Sequence, residues 1–204
     1  MATTNTTRAR PADKYDRRRD ELAESALTTL GAVGYAKASL REIANNSTFS
    51  HGVVHYYFQD KLELVIYSVR YYKATCVTRY DAVVSESRTA DELLDAFAAK
   101  LTQTIRDEAP MHRLWYDLRT QSMFEDQLRV AVTEIDHTLQ DMIWRVVTRY
   151  AELAGRPPSV DPASAYGMLD GLFQQALLGY LAGRDGALDG LVAQVRKLMP
   201  LVLA

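Results

Sequence analysis

The sequence SLREIANNSTFSHGVVHYYFQDKLEL, residues 39–64, decides the fold of the N-terminal part of the chain. Ser39 is a favourable helix N-cap, and Glu42 stands three residues later, where a capping-box partner belongs. The NNST run at residues 45–48 breaks this first helix, and Ser50 is the next N-cap candidate. The pattern therefore predicts two short helices joined by a tight turn.

The rest of the chain also follows helical spacing. An apolar stripe from Leu22 to Leu30 ends at Gly34, which is a natural C-terminal stop. Asp60 caps a predicted fourth helix that continues to residue 80. Later helices are expected from Thr89, from Pro110 at a first helical position, over about 125–154, and twice after the GRPPSVDP loop. No segment shows the alternation of a strand, so the predicted fold class is all-α.

The totals describe an ordinary globular protein. The 204 residues are 48% apolar and 25% charged, and the single cysteine, Cys76, cannot form an internal disulfide. No apolar run is long enough for a signal peptide or a membrane span, so a cytoplasmic location is expected. The net charge is −2, but residues 1–61 carry nine basic against seven acidic side chains. This slightly basic N-terminal part is compatible with binding to nucleic acid.

Two short helices joined by a tight turn have the geometry of a DNA-reading helix-turn-helix. Ala44 is small enough for the helices to cross closely, and Phe49 and Val54 can fill their shared core. The second helix would point its N-terminal residues at base edges, and its N-terminus favours a phosphate. The predicted base-reading residues are His51, Gly52, Val53 and His55; the predicted phosphate-binding residues are Ser50, Tyr56, Tyr57 and Lys61; and Phe58 is expected in the core.

Other chemistry finds little support in the sequence. His51 and His55 share a helix face, but further metal ligands are not close to them in the sequence, so no metal site is predicted. A glycine-rich phosphate loop, a nucleophile elbow and a paired catalytic motif are absent, so neither a cofactor nor an enzymatic activity is predicted. The DKYDRRRD run at residues 13–20 is interpreted most simply as a solvated helix start, whose arginines could also reach phosphates.

Several positions resemble the TetR family of bacterial transcriptional regulators. They are Ile43-Ala44, Phe49-Ser50, Gly52, Tyr57-Phe58 and Lys61, together with GAVGYAKAS at residues 31–39, and the resemblance covers roughly residues 15–65. It implies an N-terminal three-helix bundle with a helix-turn-helix and a C-terminal helical domain for ligand binding and dimerisation. It also implies DNA contacts from Ser39, Arg41, Ser50, His51, Gly52, Val53, His55, Tyr56, Tyr57 and Lys61. The expected domains are a disordered tail at 1–13, a DNA-binding domain at 14–59 and a regulatory domain at 60–204.

Two positions depart from the family pattern. Thr48 stands where the family usually has glycine in the turn, and a left-handed backbone there would cost a β-branched residue about 1–2 kcal/mol. Alternatively, the turn is formed differently, through Asn45, Asn46 or Ser47. His55 stands where the family most often has tyrosine, so we expect an operator preference unlike the family average.

The resemblance implies a regulator, most simply a repressor, that binds a palindromic DNA operator as a homodimer through its last two helices. A small, largely apolar or aromatic effector would release it, and the protein would join the nucleoid when bound to DNA. The candidate effector-binding residues are large or polar side chains of the later helices: Met111, Trp115, Tyr116, Met123, Phe124, Met142, Tyr166, Phe173 and Gln174. The alternative function is a helical small-molecule carrier or enzyme with a vestigial DNA-binding head.

Overall fold

The computed structural model describes residues 11–204, and side chains from residue 14 onward. The helices are α1 (Pro11–Val33), α2 (Leu40–Asn45), α3 (His51–Tyr57), α4 (Lys61–Cys76), α5 (Asp81–Glu86), α6 (Ala90–Gln121), α7 (Asp126–Ala154), α8 (Pro162–Leu181) and α9 (Ala187–Leu198), followed by a 3₁₀ turn at Met199–Val202. The all-α prediction is confirmed. Within the described residues, each helix is either too short or too polar to cross a bilayer.

The chain divides into two compact units. The first unit ends at Tyr72, and the second covers Lys73–Ala204, so the division falls inside α4. The sequence-based boundary at residues 59 and 60 lies just before that helix. Of the predicted tail, residues 1–10 lie outside the described part of the chain, and α1 begins at Pro11.

The first unit is built around the predicted apolar stripe of α1. Leu22 and Leu30 are buried, as are Ile43 of α2, Val54 of α3 and Phe58. Because every one of these side chains is at most 1% exposed, α1, α2, α3 and the residue that follows α3 share one core. This packing fixes α3 with only one of its faces turned away from the protein.

The basic end of α1 is more than a solvated helix start. The Arg19 guanidinium lies 4.6 Å from the Phe58 ring centroid and 4.3 Å from that of Tyr67. It also forms a 2.8 Å ion pair with Glu63. Arg18 lies 4.5 Å from the ring centroid of Phe49. These cation–π contacts mean that two of the α1 arginines help to hold the segment from Phe49 to Tyr67 against α1.

The predicted helix caps are confirmed. The Ser39 hydroxyl accepts a hydrogen bond from the backbone N–H of Glu42 at 3.1 Å. The Ser50 hydroxyl accepts from the N–H of Val53 at 3.3 Å. The Asp60 carboxylate likewise accepts from the N–H of Glu63, at 2.8 Å. Each cap satisfies one of the backbone donors that a helix start leaves unpaired.

The turn between α2 and α3 does not need a left-handed residue at position 48. Among the described residues, positive φ angles occur only at glycines, so Thr48 avoids the strained conformation. The Ser47 hydroxyl instead donates to the carbonyl of Ala44 at 2.9 Å and accepts from the N–H of Phe49 at 3.0 Å. The alternative that the turn runs through Ser47 is therefore the correct one, and a side-chain hydrogen bond replaces backbone freedom.

The second unit consists mainly of α6, α7, α8 and α9, each of which packs against at least two of the others. The two helices predicted around residues 89–121 are both present and meet at a kink within α6, directly before Pro110. Glu108 has non-helical angles, with φ −132° and ψ 25°, directly before the proline turn. Proline lacks a backbone N–H and its ring clashes with the preceding turn, which explains the kink.

The fourth helix is shorter than predicted. It ends at Cys76 instead of continuing to residue 80, and a turn then leads into the short helix α5, which the sequence did not predict. In this turn the N–H of Arg79 bonds to the carbonyl of Cys76 at 3.0 Å. The turn allows Tyr80 to be buried and Arg79 to reach α6.

We expect Thr48→Gly to lower the free energy of unfolding by about 0.4–1 kcal/mol. Because Thr48 does not use positive φ, glycine would gain nothing in the folded state and would add entropy to the unfolded chain. Urea denaturation monitored by circular dichroism measures the change. Gly34→Ala is the matched comparison. Because Gly34 has φ 81°, which strains an alanine, that variant should also lower the free energy of unfolding. Stabilisation by Thr48→Gly would contradict this account of the turn.

Candidate functional site

One face of α3 is turned away from the core. His51, Gly52 and His55 are exposed, Val53 is half-buried, and Tyr56 is 73% exposed. The imidazole rings of His51 and His55 meet edge to face, with centroids 4.4 Å apart. This face therefore carries hydrogen-bonding groups and aromatic surface that the fold itself does not use.

Gly52 is open to solvent. A Cβ atom placed there would meet no atom within 4 Å, and the residue does not have a positive φ. Neither packing nor backbone geometry within the protein therefore requires glycine at this position. A close approach to another molecule, as in a DNA groove, would supply the missing reason.

The other predicted DNA contacts surround α3. Ser39 and Arg41 are exposed at the start of α2, and the hydroxyls of Ser39 and Ser50 also serve as helix caps. Tyr57 is half-buried, with its ring centroid 4.9 Å from that of Tyr15 in α1. The structure thus gathers these residues around one helix.

Lys61 is only partly available for a phosphate. Its amine donates a hydrogen bond to the carbonyl of Tyr35 and lies 4.1 Å from the centroid of the Tyr35 ring. An ammonium group has three donors, so these contacts leave it able to donate further hydrogen bonds. Lys61 therefore connects the first helix-to-helix loop with the beginning of α4 and stays at the edge of the α3 face.

A cavity of about 70 Å³ lies within the second unit. Five predicted effector-binding residues line it, namely Trp115, Tyr116, Met142, Tyr166 and Phe173. The other four do not: Met123 and Phe124 are 69% and 84% exposed at the turn after α6, Gln174 is exposed on α8, and Met111 is half-buried elsewhere. The cavity is therefore lined by fewer of the predicted residues than expected, and those that line it are the more buried ones.

Of the polar side of the cavity, the sequence suggested only His112 as a ligand partner, and His112 does line the wall. The wall also includes Lys73, Cys76 and Arg79 from the end of α4 and the turn after it, as well as Tyr80, Thr104 and Asp170. Lys73 and Arg79 look like ordinary surface charges in the sequence. The only signal was their position among the apolar residues of a helix expected to reach residue 80.

An ion pair forms one wall. The Arg79 guanidinium donates to both carboxylate oxygens of Glu108, at 2.9 and 2.7 Å. Its other terminal nitrogen lies 3.4 Å from Nε2 of His112. Burial and the charges of Lys73 and Arg79 lower the pKa of His112 to about 2, so the ring is neutral. Because a guanidinium can only donate, Nε2 accepts and the proton of His112 stays on Nδ1.

A buried lysine forms the second wall. Lys73 is 4% exposed, and its Nζ lies 4.4 Å from the ring centroid of Trp115. Burial lowers the pKa of Lys73 to about 8, while Asp170 and Asp136 oppose that effect. Trp115 is itself 3% exposed, and its indole Nε1 has no hydrogen-bond partner among the described residues. A buried indole N–H normally has a partner, so this donor is suited to a bound molecule.

The third wall holds carboxylates that are already paired. Asp170 accepts from the Tyr116 hydroxyl at 2.9 Å and from Arg119 at 2.5 Å, one bond to each oxygen. Asp136 accepts from the Tyr166 hydroxyl at 2.7 Å and pairs with Arg119 at 3.3 Å. Burial and these carboxylates raise the pKa of both tyrosines, so both hydroxyls remain protonated donors.

These groups do not form a metal site. Among residues 14–204, no three histidine, cysteine or acidic side chains come together in a way that could hold a metal ion. The side chains of the cavity can bind a small molecule through apolar contacts, N–H donors and a buried positive charge. The face of α3 can bind an extended polar surface.

Comparison with known proteins places this arrangement in a family. The sequence profile of bacterial regulatory proteins of the tetR family matches residues 22–67, which span the end of α1 to the middle of α4. The HTH-type transcriptional regulator BetI of Cronobacter sakazakii is 28% identical over 173 residues, which cover 79% of this chain and 80% of that protein.

Solved structures share the fold across both units. A TetR transcription regulator from Haloarcula marismortui has a TM-score of 0.74 at 17% identity, covering 93% of this chain and 100% of its own. A transcriptional regulator from Saccharomonospora viridis, solved in complex with choline, has a TM-score of 0.73 at 19% identity, covering 92% and 98%. The profile match and the helix-turn-helix geometry identify residues 22–67 as a DNA-binding segment of the TetR family of transcriptional regulators, and the chain shares the fold of such regulators across both units.

Proposed function

We propose that this regulator is a ligand-responsive repressor. A homodimer would bind a palindromic operator, and a small, largely apolar effector would release it. The observation that carries the proposal is the cavity of the second unit, whose buried indole N–H of Trp115 lacks a partner among the described residues. A core that served only for stability would have paired that donor or excluded it.

The proposed DNA contacts follow from the exposed face of α3. His51, Gly52 and His55 would face base edges in the major groove, and Arg41 would pair with a guanine at its margin. Tyr56 and the edge residues Tyr57 and Lys61 would position the backbone phosphates. The hydroxyls of Ser39 and Ser50 would add phosphate contacts beside their capping bonds, with Val53 making apolar contact.

The proposed coupling route is α4. Lys73 and Cys76, in its last turn, line the cavity, whereas the residues before them belong to the first unit. An effector that changes the position of Lys73 would therefore act on the helix that enters the DNA-binding unit. For this to release DNA, the effector must bind the DNA-competent conformation less tightly than the other conformation.

The proposed dimer interface is the outer face of α8 together with α9. Met168, Leu178 and Leu181 are 36%, 60% and 43% exposed on α8. Cβ atoms built at Gly167 and Gly171 meet nothing within 4 Å, so a second helix could approach closely there. A two-fold dimer would bury this apolar surface and would present two α3 helices to a palindromic site.

We expect the dimer to bind DNA flanking its own gene with an affinity that falls steeply as salt rises. Arg41→Ala should weaken binding to the preferred site by roughly 5–150-fold, the range expected for losing one bidentate guanine contact. Fluorescence anisotropy on a labelled duplex measures both effects. Arg106→Ala, which removes an exposed arginine of α6, is the matched control and should bind as the wild type does. Ligand binding or turnover without specific DNA affinity would instead support the carrier or enzyme alternative.

Gly52→Ala should separate the DNA role from the folding role. Because the Cβ has open space in the protein, the variant should be more stable by about 0.4–1 kcal/mol. The same methyl group should weaken operator binding, because it would stand between α3 and the groove. Thermal unfolding and anisotropy measure the two effects on one sample. A variant that is stabilised and still binds DNA normally would remove Gly52 from the interface.

Leu178→Asp should convert the dimer to a monomer and abolish tight operator binding. The variant would place a charge in the centre of the proposed apolar interface, where it would lose its hydration. Sedimentation equilibrium gives the molecular mass. Val130→Asp is the control, because Val130 is also 60% exposed but lies on α7. Loss of the dimer in Val130→Asp, with the dimer kept in Leu178→Asp, would move the interface away from α8.

A further inference from the structure

The cavity of the second unit has an uneven distribution of donors and acceptors. The side chains that line it include Lys73, Trp115 and the neutral His112, each of which carries an N–H donor. Its one carboxylate, Asp170, already accepts one strong hydrogen bond on each oxygen. The wall therefore offers more hydrogen-bond donors than available acceptors.

A ligand cation is poorly matched to this wall. Cations bind buried sites through unpaired carboxylates or over the face of an aromatic ring. Here the Lys73 amine occupies the Trp115 face at 4.4 Å, and Tyr116 and Arg119 occupy the oxygens of Asp170. A quaternary ammonium would meet a like charge at the Trp115 ring, which is the largest aromatic surface of the wall.

We infer that the cavity binds a small monocarboxylate, whose oxygen atoms accept hydrogen bonds from the Lys73 ammonium and from the indole N–H of Trp115. The inference rests on the proposed role of the cavity as the effector site. The apolar part of the acid would lie against the remaining wall, which includes Leu139, Met142, Ile143, Leu169 and Phe173. The volume of about 70 Å³ favours a compact acid with few carbon atoms.

Charge balance around the cavity is compatible with an anion beside Lys73. Glu108 neutralises Arg79, while Asp136 and Asp170 share Arg119 and also accept from the hydroxyls of Tyr166 and Tyr116. The negative charge is thus spread over paired groups on the Arg119 side. A ligand carboxylate would form a charge-assisted hydrogen bond with the Lys73 ammonium. Such a bond is stronger than one between neutral groups.

Binding should also depend on pH. The titratable and charged groups around Lys73 are Cys76 and Arg79 beside it in the chain, His112 of α6, Asp136 of α7 and Asp170 of α8. Burial lowers the pKa of Lys73 to about 8. In the free protein, the Lys73 amine therefore loses its positive charge as the pH rises through that value. A carboxylate prefers the protonated amine, so its affinity should fall above about pH 8 and its binding should take up protons there.

The test compares four probes of similar size by isothermal titration calorimetry on the full chain: butyrate, butyramide, n-butylammonium and choline. We expect butyrate to bind at least about tenfold more tightly than either cation, as a charge-assisted pair would give. Butyramide, which has the same shape and an uncharged oxygen, should lie between them. Tighter binding of a cation, or no binding of butyrate up to about 50 mM, a generous limit for so small a ligand, would overturn the inference.

Variants locate the binding. Lys73→Met should reduce butyrate affinity about tenfold or more and remove its dependence on pH, since the charge-assisted hydrogen bond is lost. Trp115→Phe keeps a ring and removes only the N–H, so it should cause a smaller loss with the pH dependence retained. Lys100→Met, on α6 outside the cavity wall, is the control for a lost lysine, and Cys76→Ala tests whether the thiol contributes to the pH profile. Unchanged butyrate affinity in both Lys73→Met and Trp115→Phe would overturn the inference.

DNA release, measured separately by anisotropy, distinguishes the two proposals. If butyrate binds through Lys73 but saturating butyrate leaves the operator complex intact, the carboxylate site stands and the effector role of the cavity fails. If choline releases DNA, whereas butyrate neither binds to the protein nor releases DNA, the effector role stands and the carboxylate inference fails.

Discussion

The second unit depends on the ion pair between Arg79 and Glu108. Arg79 lies in the turn that ends α4, and Glu108 is the residue at which α6 leaves helical geometry. The Arg79 guanidinium bonds to both carboxylate oxygens of Glu108 and so joins the turn after α4 to the kink of α6. Its second terminal nitrogen also contacts Nε2 of His112. Without the ion pair, a partly buried charge would remain at the kink, which costs more than the pair contributes. The pair thus joins the end of α4 to the kink of α6 at the wall of the cavity.

The first unit follows a different physical logic. Its short helices have little surface to bury individually, so arginines of α1 complete the core by lying over aromatic rings. Arg19 contacts Phe58 and Tyr67 and pairs with Glu63, which belongs to α4. Arginine side chains therefore pack against the aromatic core of this unit, and the exposed face of α3 takes no part in that packing. One aromatic run thus supplies both a core anchor, Phe58, and an exposed ring, Tyr56.

Features determined by local sequence were predictable. Helix caps at Ser39, Ser50 and Asp60 depend on hydrogen bonds within three residues, and apolar spacing identified the buried stripe of α1. Features determined by distant partners were not predictable. The end of α4 at Cys76 brings Arg79 to Glu108 at the kink of α6, although the two residues lie 29 positions apart in the sequence. Hydrophobicity likewise suggested Met123 and Phe124 as ligand contacts, but their position at a helix-to-helix turn exposes them.

The contact between Lys73 and Trp115 also gives the chain an intrinsic fluorescence probe. The sequence contains two tryptophans, Trp115 in the cavity wall and Trp144 on α7. A charge within 4.4 Å of an indole ring perturbs its excited state, and so does any molecule that moves that charge. Emission from Trp115 therefore reports on the occupancy of the cavity without an added label. Replacement of Trp144 by phenylalanine would leave that single reporter inside the second unit.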